Sequence, residues 1–328
     1  MLYINDSLPH IALAHQIHVK HITCYIKRKL YGNTKSSRCS DVTCSICTSR
    51  IGKIKGVPTI WIKAFEDIGI DKIVESPPKQ LGALSKQFWN KVGTTYSKLS
   101  QARKLLFAKI IDYTDWASKP KNAKSRYSAY DLCNNLKIST CIYCNRLYTT
   151  TVITNKKSKE RIIRPTLDHW YSQETYPLLA LSFYNLIPSC SPCNSSVKHR
   201  MNFNLRNTIH PYIDQKITED YQLVSTFDKT LNTFKITVDS NNSKVRSTLK
   251  RMKIKEIYEH HQSELADLDL LKRKYNKKYL TDLGSLLDKR LTQKDVYRVL
   301  FGVEYEDENF SNRPLSKLKR DILNLKIK

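Results

Sequence analysis

No uninterrupted apolar stretch in this 328-residue sequence reaches the ~18–20 residues that a membrane-spanning helix needs, so no membrane association is expected. Met1-Leu-Tyr-Ile-Asn-Asp6 lacks the basic region that opens a secretory signal, and the expected location is the cytoplasm. There the nine cysteines are expected to be reduced or metal-bound rather than paired as disulfides. The sequence carries no internal repeat, low-complexity tract or phosphate-cradling P-loop, so any ATP-driven step would belong to another chain. Acidic residues are scarce: 30 Asp and Glu stand against 56 Lys and Arg, a formal charge of +26. With 40% hydrophobic residues the chain is too apolar for wholesale disorder and too basic for an ordinary metabolic enzyme. A polyanionic partner is the first expectation, nucleic acid ahead of an acidic membrane surface.

The basic excess is not confined to one tail. Residues 1–136 hold 22 basic against 9 acidic side chains, residues 137–215 hold 10 against 4, and residues 216–328 hold 24 against 17. A chain basic in every segment suits a surface that straddles a phosphate backbone, although solvated lysine faces would give the same count.

What is present is a set of metal-ligand motifs. Cys141-Ile-Tyr-Cys144 and Cys190-Ser-Pro-Cys193, 45 residues apart, can supply four thiolates to a structural zinc. A redox pair is the weaker alternative, because two CxxC units bracketing a hairpin suit zinc better. Within or beside this clamp lie Asp168-His169, Asn185, Asn194 and Lys198. Alone, Asp168-His169 would be a surface dipeptide; the clamp and the two asparagines give it chemical context. Nearer the start, Cys39-x4-Cys44-x2-Cys47 with Cys24 invites a second zinc site. These cysteines read equally well as small buried thiols among the core histidines His10, His15, His18 and His21.

The pattern divides the chain into four parts. Residues 1–75 read as a mixed α/β segment, closed by Ser76-Pro77-Pro78. Residues 76–136 read as a helical scaffold, with Leu99, Leu105, Phe107, Ile110, Ile111 and Trp116 at helical spacing, Ser97 near a cap, a basic loop over 119–126 and a short helix over 128–136. In 137–215, strands are expected over 147–153 and 161–167 around a polar turn at 155–159, delivering Asp168 and His169 at the end of the second. A short helix is expected over 176–184, and a helix beginning near Pro192 would carry Asn194 and Lys198 on one face. Residues 216–328 read as mostly helical after a strand at 234–239 and a turn at Asn241-Asn242, with an apolar stripe from Ile254 to Leu271 and helices over 280–291 and 295–300. With its clustered Glu304, Glu306, Asp307 and Glu308, this part would serve for packing or a protein partner, or simply complete the core.

The order CxxC, Leu167-Asp168-His169, Tyr176-Pro-Leu-Leu-Ala180, Asn185-Leu-Ile-Pro188, Cys190-Ser-Pro-Cys193-Asn194, Ser196-Val-Lys198 resembles the HNH endonucleases of the ββα-metal class, in their zinc-clamped group. Ile209-His-Pro-Tyr-Ile-Asp214 resembles the block that follows the nuclease core in HNH proteins associated with retrons and with Septu-type phage defence. The resemblance covers about residues 137–215 and implies an α+β fold, a zinc-stabilised ββα-metal core flanked by mostly helical segments. It implies metal-dependent hydrolysis of nucleic-acid phosphodiesters, DNA before RNA, in bacterial antiviral defence, with a partner ATPase in some settings. His169 would take the proton from water, Asp168 and Asn194 would bind one Mg²⁺ or Mn²⁺, Asn185 would hold the His169 ring, and Lys198 would contact a phosphate. In many of that family a second histidine stands at the position of Asn194. Two other readings remain open: a zinc-stabilised nucleic-acid-binding module without turnover, and an effector subunit silent without its partner. His199 and His210 read as hydrogen-bonded or exposed histidines, His210 with a further option of lining the groove.

Overall fold

The computed structural model describes residues 1–34, 39, 44–49, 51–93, 96–118, 126–154, 160–287 and 290–327. The basic loop expected over 119–126, all but Arg126, and the polar turn at 155–159 lie outside the described residues, as do the side chains of Ser97, Leu99 and Phe107.

Helix α1 (Pro9–Tyr31) starts on a proline, whose missing N–H falls where a helix leaves its donors unpaired. It ends at Gly32, whose positive φ of 75° lets its N–H turn back to the Arg28 carbonyl. Helices α2 (Ser45–Thr48), α3 (Thr59–Ile68) and α4 (Ile70–Glu75) follow. No strand occurs among the described residues of 1–75, so the mixed segment expected there is helical where described. Pro77 and Pro78 initiate α5 (Pro78–Val92). Then come α6 (Tyr96–Leu105), a wide π turn (Leu106–Ile110), α7 (Tyr113–Ala117) and α8 (Ala129–Leu136), the last opened by a reciprocal capping box between Ser128 and Asp131.

The centre holds two small antiparallel hairpins. Strand β1 (Val152–Ile153) pairs with β2 (Arg161–Ile163), and β3 (Thr166–His169) pairs with β4 (Leu186–Ser189), placing Asp168 opposite Ile187 and His169 opposite Leu186. The strand expected over 161–167 is divided at Arg164-Pro165, because a proline has no N–H to give to a ladder. Its second half changes partner and carries the site residues. The apolar run 176–184 forms tight turns at Pro177–Leu179 and Phe183–Asn185 rather than a helix. After β4 the chain enters a wide π turn, Pro192–Lys198.

The C-terminal part has a hairpin of β5 (Gln222–Asp228) and β6 (Thr233–Asp239), then α9 (Ser243–Arg251), α10 (Ile254–Glu259), α11 (Gln262–Lys274), α12 (Lys277–Leu287), α13 (Gln293–Phe301) and α14 (Ser316–Leu323). Asn242 accepts from the N–H groups of Lys244 and Val245 and so caps α9. The expected stripe from Ile254 breaks at His260-His261 into α10 and α11. Glu304, Glu306 and Asp307 form ion pairs within the chain, with Arg313, Lys294 and Arg320.

One buried apolar cluster joins all four parts, with Ile22, Phe88, Leu132, Ile187, Leu249 and Leu318 among its members. The fold is α+β, and no described helix is long and apolar enough to cross a membrane.

Candidate functional site

The clamp is assembled around a turn that only a few residue types could make. Cys141 and Cys144 flank a tight loop in which Asn145 N–H donates to the Cys141 carbonyl at 2.7 Å and Asn145 itself takes φ 48°, a left-handed conformation that asparagine tolerates. The second pair follows β4 directly, Cys190 at its end and Cys193 in the π turn. All four are buried, and their sulfurs lie within 4.8 Å of one another. Sulfurs bound at ~2.3 Å to one tetrahedral ion stand about 3.8 Å apart; Cys144 and Cys190 are 3.9 Å apart. The donor set fits structural zinc. Hydrogen bonding from Cys141, Cys190 and Cys193 pulls the Cys144 thiol far below its ordinary range, whereas burial pushes Cys141 well above it.

The cysteines left open near the start also converge. The sulfurs of Cys24, Cys39, Cys44 and Cys47 lie within 4.8 Å of one another, and this set too could hold a structural zinc.

Next to the first clamp lies a shallow open pocket lined by Asp168, His169, Asn194, Lys198, His199 and Arg200. The order strand, strand, helical turn brings these together: β3 ends on Asp168 and His169, β4 returns beside it, and the π turn projects Asn194 and Lys198 toward the same side. In that turn the His199 N–H reaches the Asn194 carbonyl five residues back, so residues four apart still share a face.

His169 is buried, with 8% of its surface exposed. Its Nε2 lies 3.0 Å from the Ala180 carbonyl. A carbonyl only accepts, so Nε2 carries the hydrogen and the lone pair sits on Nδ1. The Tyr113 ring packs edge-on at 4.5 Å and fixes the plane. Burial drives the His169 pKa down to about 4, the Lys198 charge adding to the effect and the Ala180 hydrogen bond opposing it. The imidazole is therefore neutral at neutral pH.

Asn185 is expected to hold the His169 ring, but its side-chain hydrogen bonds go to the loop backbone rather than to the ring. Its Oδ1 accepts from Tyr171 N–H at 2.6 Å, and its Nδ2 donates to the carbonyls of Leu179 at 3.0 Å and Tyr171 at 3.2 Å. It thus closes the loop between β3 and β4, and that loop presents the Ala180 carbonyl to the ring.

Lys198 departs from its expected role as a phosphate contact. It is 1% exposed, and its ammonium lies 3.2 Å from Asp168 Oδ2 and donates to the His169 carbonyl at 2.6 Å. A buried ammonium cannot reach an external phosphate while its partners are the strand end beneath it. Asp168 Oδ2 also accepts from the Tyr143 hydroxyl at 2.5 Å. Burial raises the Asp168 carboxyl above its ordinary value, outweighing Lys198 and Tyr143. Asn194 is half-buried on the pocket wall. Asp168 and Asn194 line the same pocket and carry hard oxygens, the donor type that Mg²⁺ or Mn²⁺ prefers, with Lys198 as a resident competitor for the carboxylate.

His199 and Arg200 are exposed at the rim, Arg200 paired with Glu174 at 3.2 Å. His210 lies outside the pocket, buried with its ring 4.6 Å from Trp170. Sequence reasoning missed Tyr143 and Tyr113, and read His18 only as a core histidine. His18 is wholly buried, bonded through Nδ1 to the Tyr127 hydroxyl at 3.1 Å and through Nε2 to the Leu181 carbonyl at 2.9 Å, one residue beyond the carbonyl that holds His169. Only Tyr143 had a local signal, its place between two ligand cysteines.

No family model, curated protein or solved structure matches this chain.

Proposed function

We propose that the chain is a metal-dependent endonuclease of the HNH type, acting on nucleic-acid phosphodiesters, DNA in the first place. The observation that carries the reading is the His169 ring: neutral, locked by Ala180 and Tyr113 with its lone pair on Nδ1, and beside two hard oxygen donors on a +26 chain. Nδ1 would take a proton from an attacking water as a general base. Asp168 and Asn194 would hold one divalent ion, which would neutralise charge on the scissile phosphate and assist the leaving oxygen. Asn185 and Lys198 keep the base and the strand end in place. The resemblance in the motif order supports a role in phage defence, and it is the sole support for that setting and for a partner ATPase.

One observation favours a second reading. The Lys198 ammonium already neutralises Asp168, as it would in a resting effector that awaits a partner, or in a binding module without turnover. Cleavage assays on wild type and His169→Ala, with duplex DNA, single-stranded DNA and RNA and added Mg²⁺ or Mn²⁺, separate these. Metal-dependent cutting lost in the variant supports the nuclease; equal cutting by both proteins would reject His169 as the base. Binding without cutting by a folded, zinc-loaded wild type would favour the second reading.

A further inference from the structure

Arg28 lies one helical turn beyond Cys24 on α1, and only 1% of its surface reaches solvent. Its Nη1 donates to the Asn33 side chain, while Nε and Nη2 find no hydrogen-bond partner. The guanidinium faces the sulfurs of Cys47 and Cys24 instead. Among the described residues no carboxylate pairs with it. An arginine side chain is always charged, and a buried cation without a counter-charge is strongly unfavourable.

The four sulfurs beside it offer several chemical states. Four thiols are neutral and leave the guanidinium uncompensated. Two disulfides are also neutral and do the same, although Cys24 and Cys47 at 3.2 Å and Cys39 and Cys47 at 3.4 Å lie near one another. A single ionised thiol would answer the cation in part; four thiolates around one divalent ion carry a net charge of −2 and use all four sulfurs, which lie within 4.8 Å of one another. A soft, four-sulfur, closed donor set suits structural zinc.

We propose that Cys24, Cys39, Cys44 and Cys47 hold a second structural zinc ion and that Arg28 is its built-in counter-cation. The site pins the segment around α2 to the middle of α1. From there Ser45 Oγ accepts the Tyr127 N–H at 3.0 Å, and Tyr127 in turn meets His18. The second centre therefore braces the face of α1 that supports the loop behind His169. The zinc assignment itself does not depend on the nuclease reading.

The test uses the full chain purified under reducing conditions. Elemental analysis should find two zinc ions per chain. Iodoacetamide followed by peptide mapping should spare Cys24, Cys39, Cys44 and Cys47 until a chelator is added. Arg28→Met keeps most of the packing volume and removes the charge, so one of the two ions should leave at a chelator concentration about tenfold lower than in wild type. Arg28→Lys, which keeps the charge, should retain both. A single zinc with these four cysteines alkylated before chelation, disulfides among them, or iron in place of zinc would overturn the proposal. Wild-type release from Arg28→Met would overturn the part assigned to Arg28.

Discussion

The Tyr143 hydroxyl donates to Asp168 Oδ2 at 2.5 Å, and Tyr143 stands between two cysteines of the clamp. A four-cysteine site able to hold zinc and a candidate metal-binding carboxylate are thus joined by one side chain. Removing the hydroxyl separates scaffold from chemistry: Tyr143→Phe should keep zinc and fold, and lose about 1.5–3 kcal/mol of stability for a hydrogen bond to a charged group. Cleavage should fall because Asp168 is left to Lys198 alone. Zinc content, melting temperature and cleavage rate measured together check this; an unchanged rate with lowered stability would make the contact purely structural.

Opening the clamp should be far more damaging. Structural zinc contributes on the order of 10 kcal/mol of apparent binding energy to a small domain, so Cys141→Ser or Cys193→Ser should unfold the region around residues 137–215. The C-terminal helices should loosen with it, since Leu315 and Lys317 donate to Asn145 and Tyr258 donates to the Cys144 carbonyl. Hydrogen exchange resolved by peptide, with and without chelator, reads both effects; protected amides over 137–215 without metal would contradict the claim.

Lys198→Met should leave Asp168 buried without its cation, a loss of roughly 3–5 kcal/mol. If the carboxylate is also a divalent-ion ligand, added Mg²⁺ should raise the melting temperature of this variant more than that of wild type. Equal shifts in both proteins would remove Asp168 from the metal site.

Acid should destabilise the protein through His18 and His210. Burial depresses both to about 3, well below the ~6.5 of an unfolded histidine. The unfolded chain takes up protons that the folded one refuses, so their contribution is complete above about pH 6.5 and is lost as pH falls toward 3. At about pH 5 each should cost roughly 2 kcal/mol, at about 1.4 kcal/mol per pH unit. Denaturant titrations at several pH values check the slope, and His18→Gln should flatten it.

Nucleic-acid affinity should fall steeply with salt, by about −0.9 in log K per log salt for each phosphate neutralised on duplex DNA. Arg200 is the exposed cation at the pocket rim, and its surface pair with Glu174 is weak competition. Arg200→Gln should shallow the slope by about one phosphate. An unchanged slope would put the phosphate track elsewhere on the surface.

The sequence exposed those features whose chemistry is local. Four cysteines in two CxxC units announce by their spacing a cluster able to hold a metal, and β-branched residues before Asp168-His169 mark a strand end. What stayed hidden depends on burial. Nothing near Lys198 reveals that its ammonium turns inward, because the space it enters is made by Phe203 and the end of β3. His18 could not be linked to His169, since 163 residues separate it from the Leu181 carbonyl it holds. The helical character of residues 1–75 was obscured by the scatter of cysteines and histidines, which disturb an apolar stripe without preventing a helix.

The loop between Cys141 and Cys144 is grasped from both ends of the chain. Leu2 donates to the Ile142 carbonyl at 2.8 Å, and Leu315 donates to the Asn145 carbonyl at 2.6 Å. Ribosomal synthesis delivers these contacts hundreds of residues apart, and contacts so distant in sequence form late. The loop beside Cys144 therefore gains its last partners only after translation has passed Lys317. Nascent fragments that end earlier carry both CxxC units without the C-terminal grip on the loop that holds the first of them.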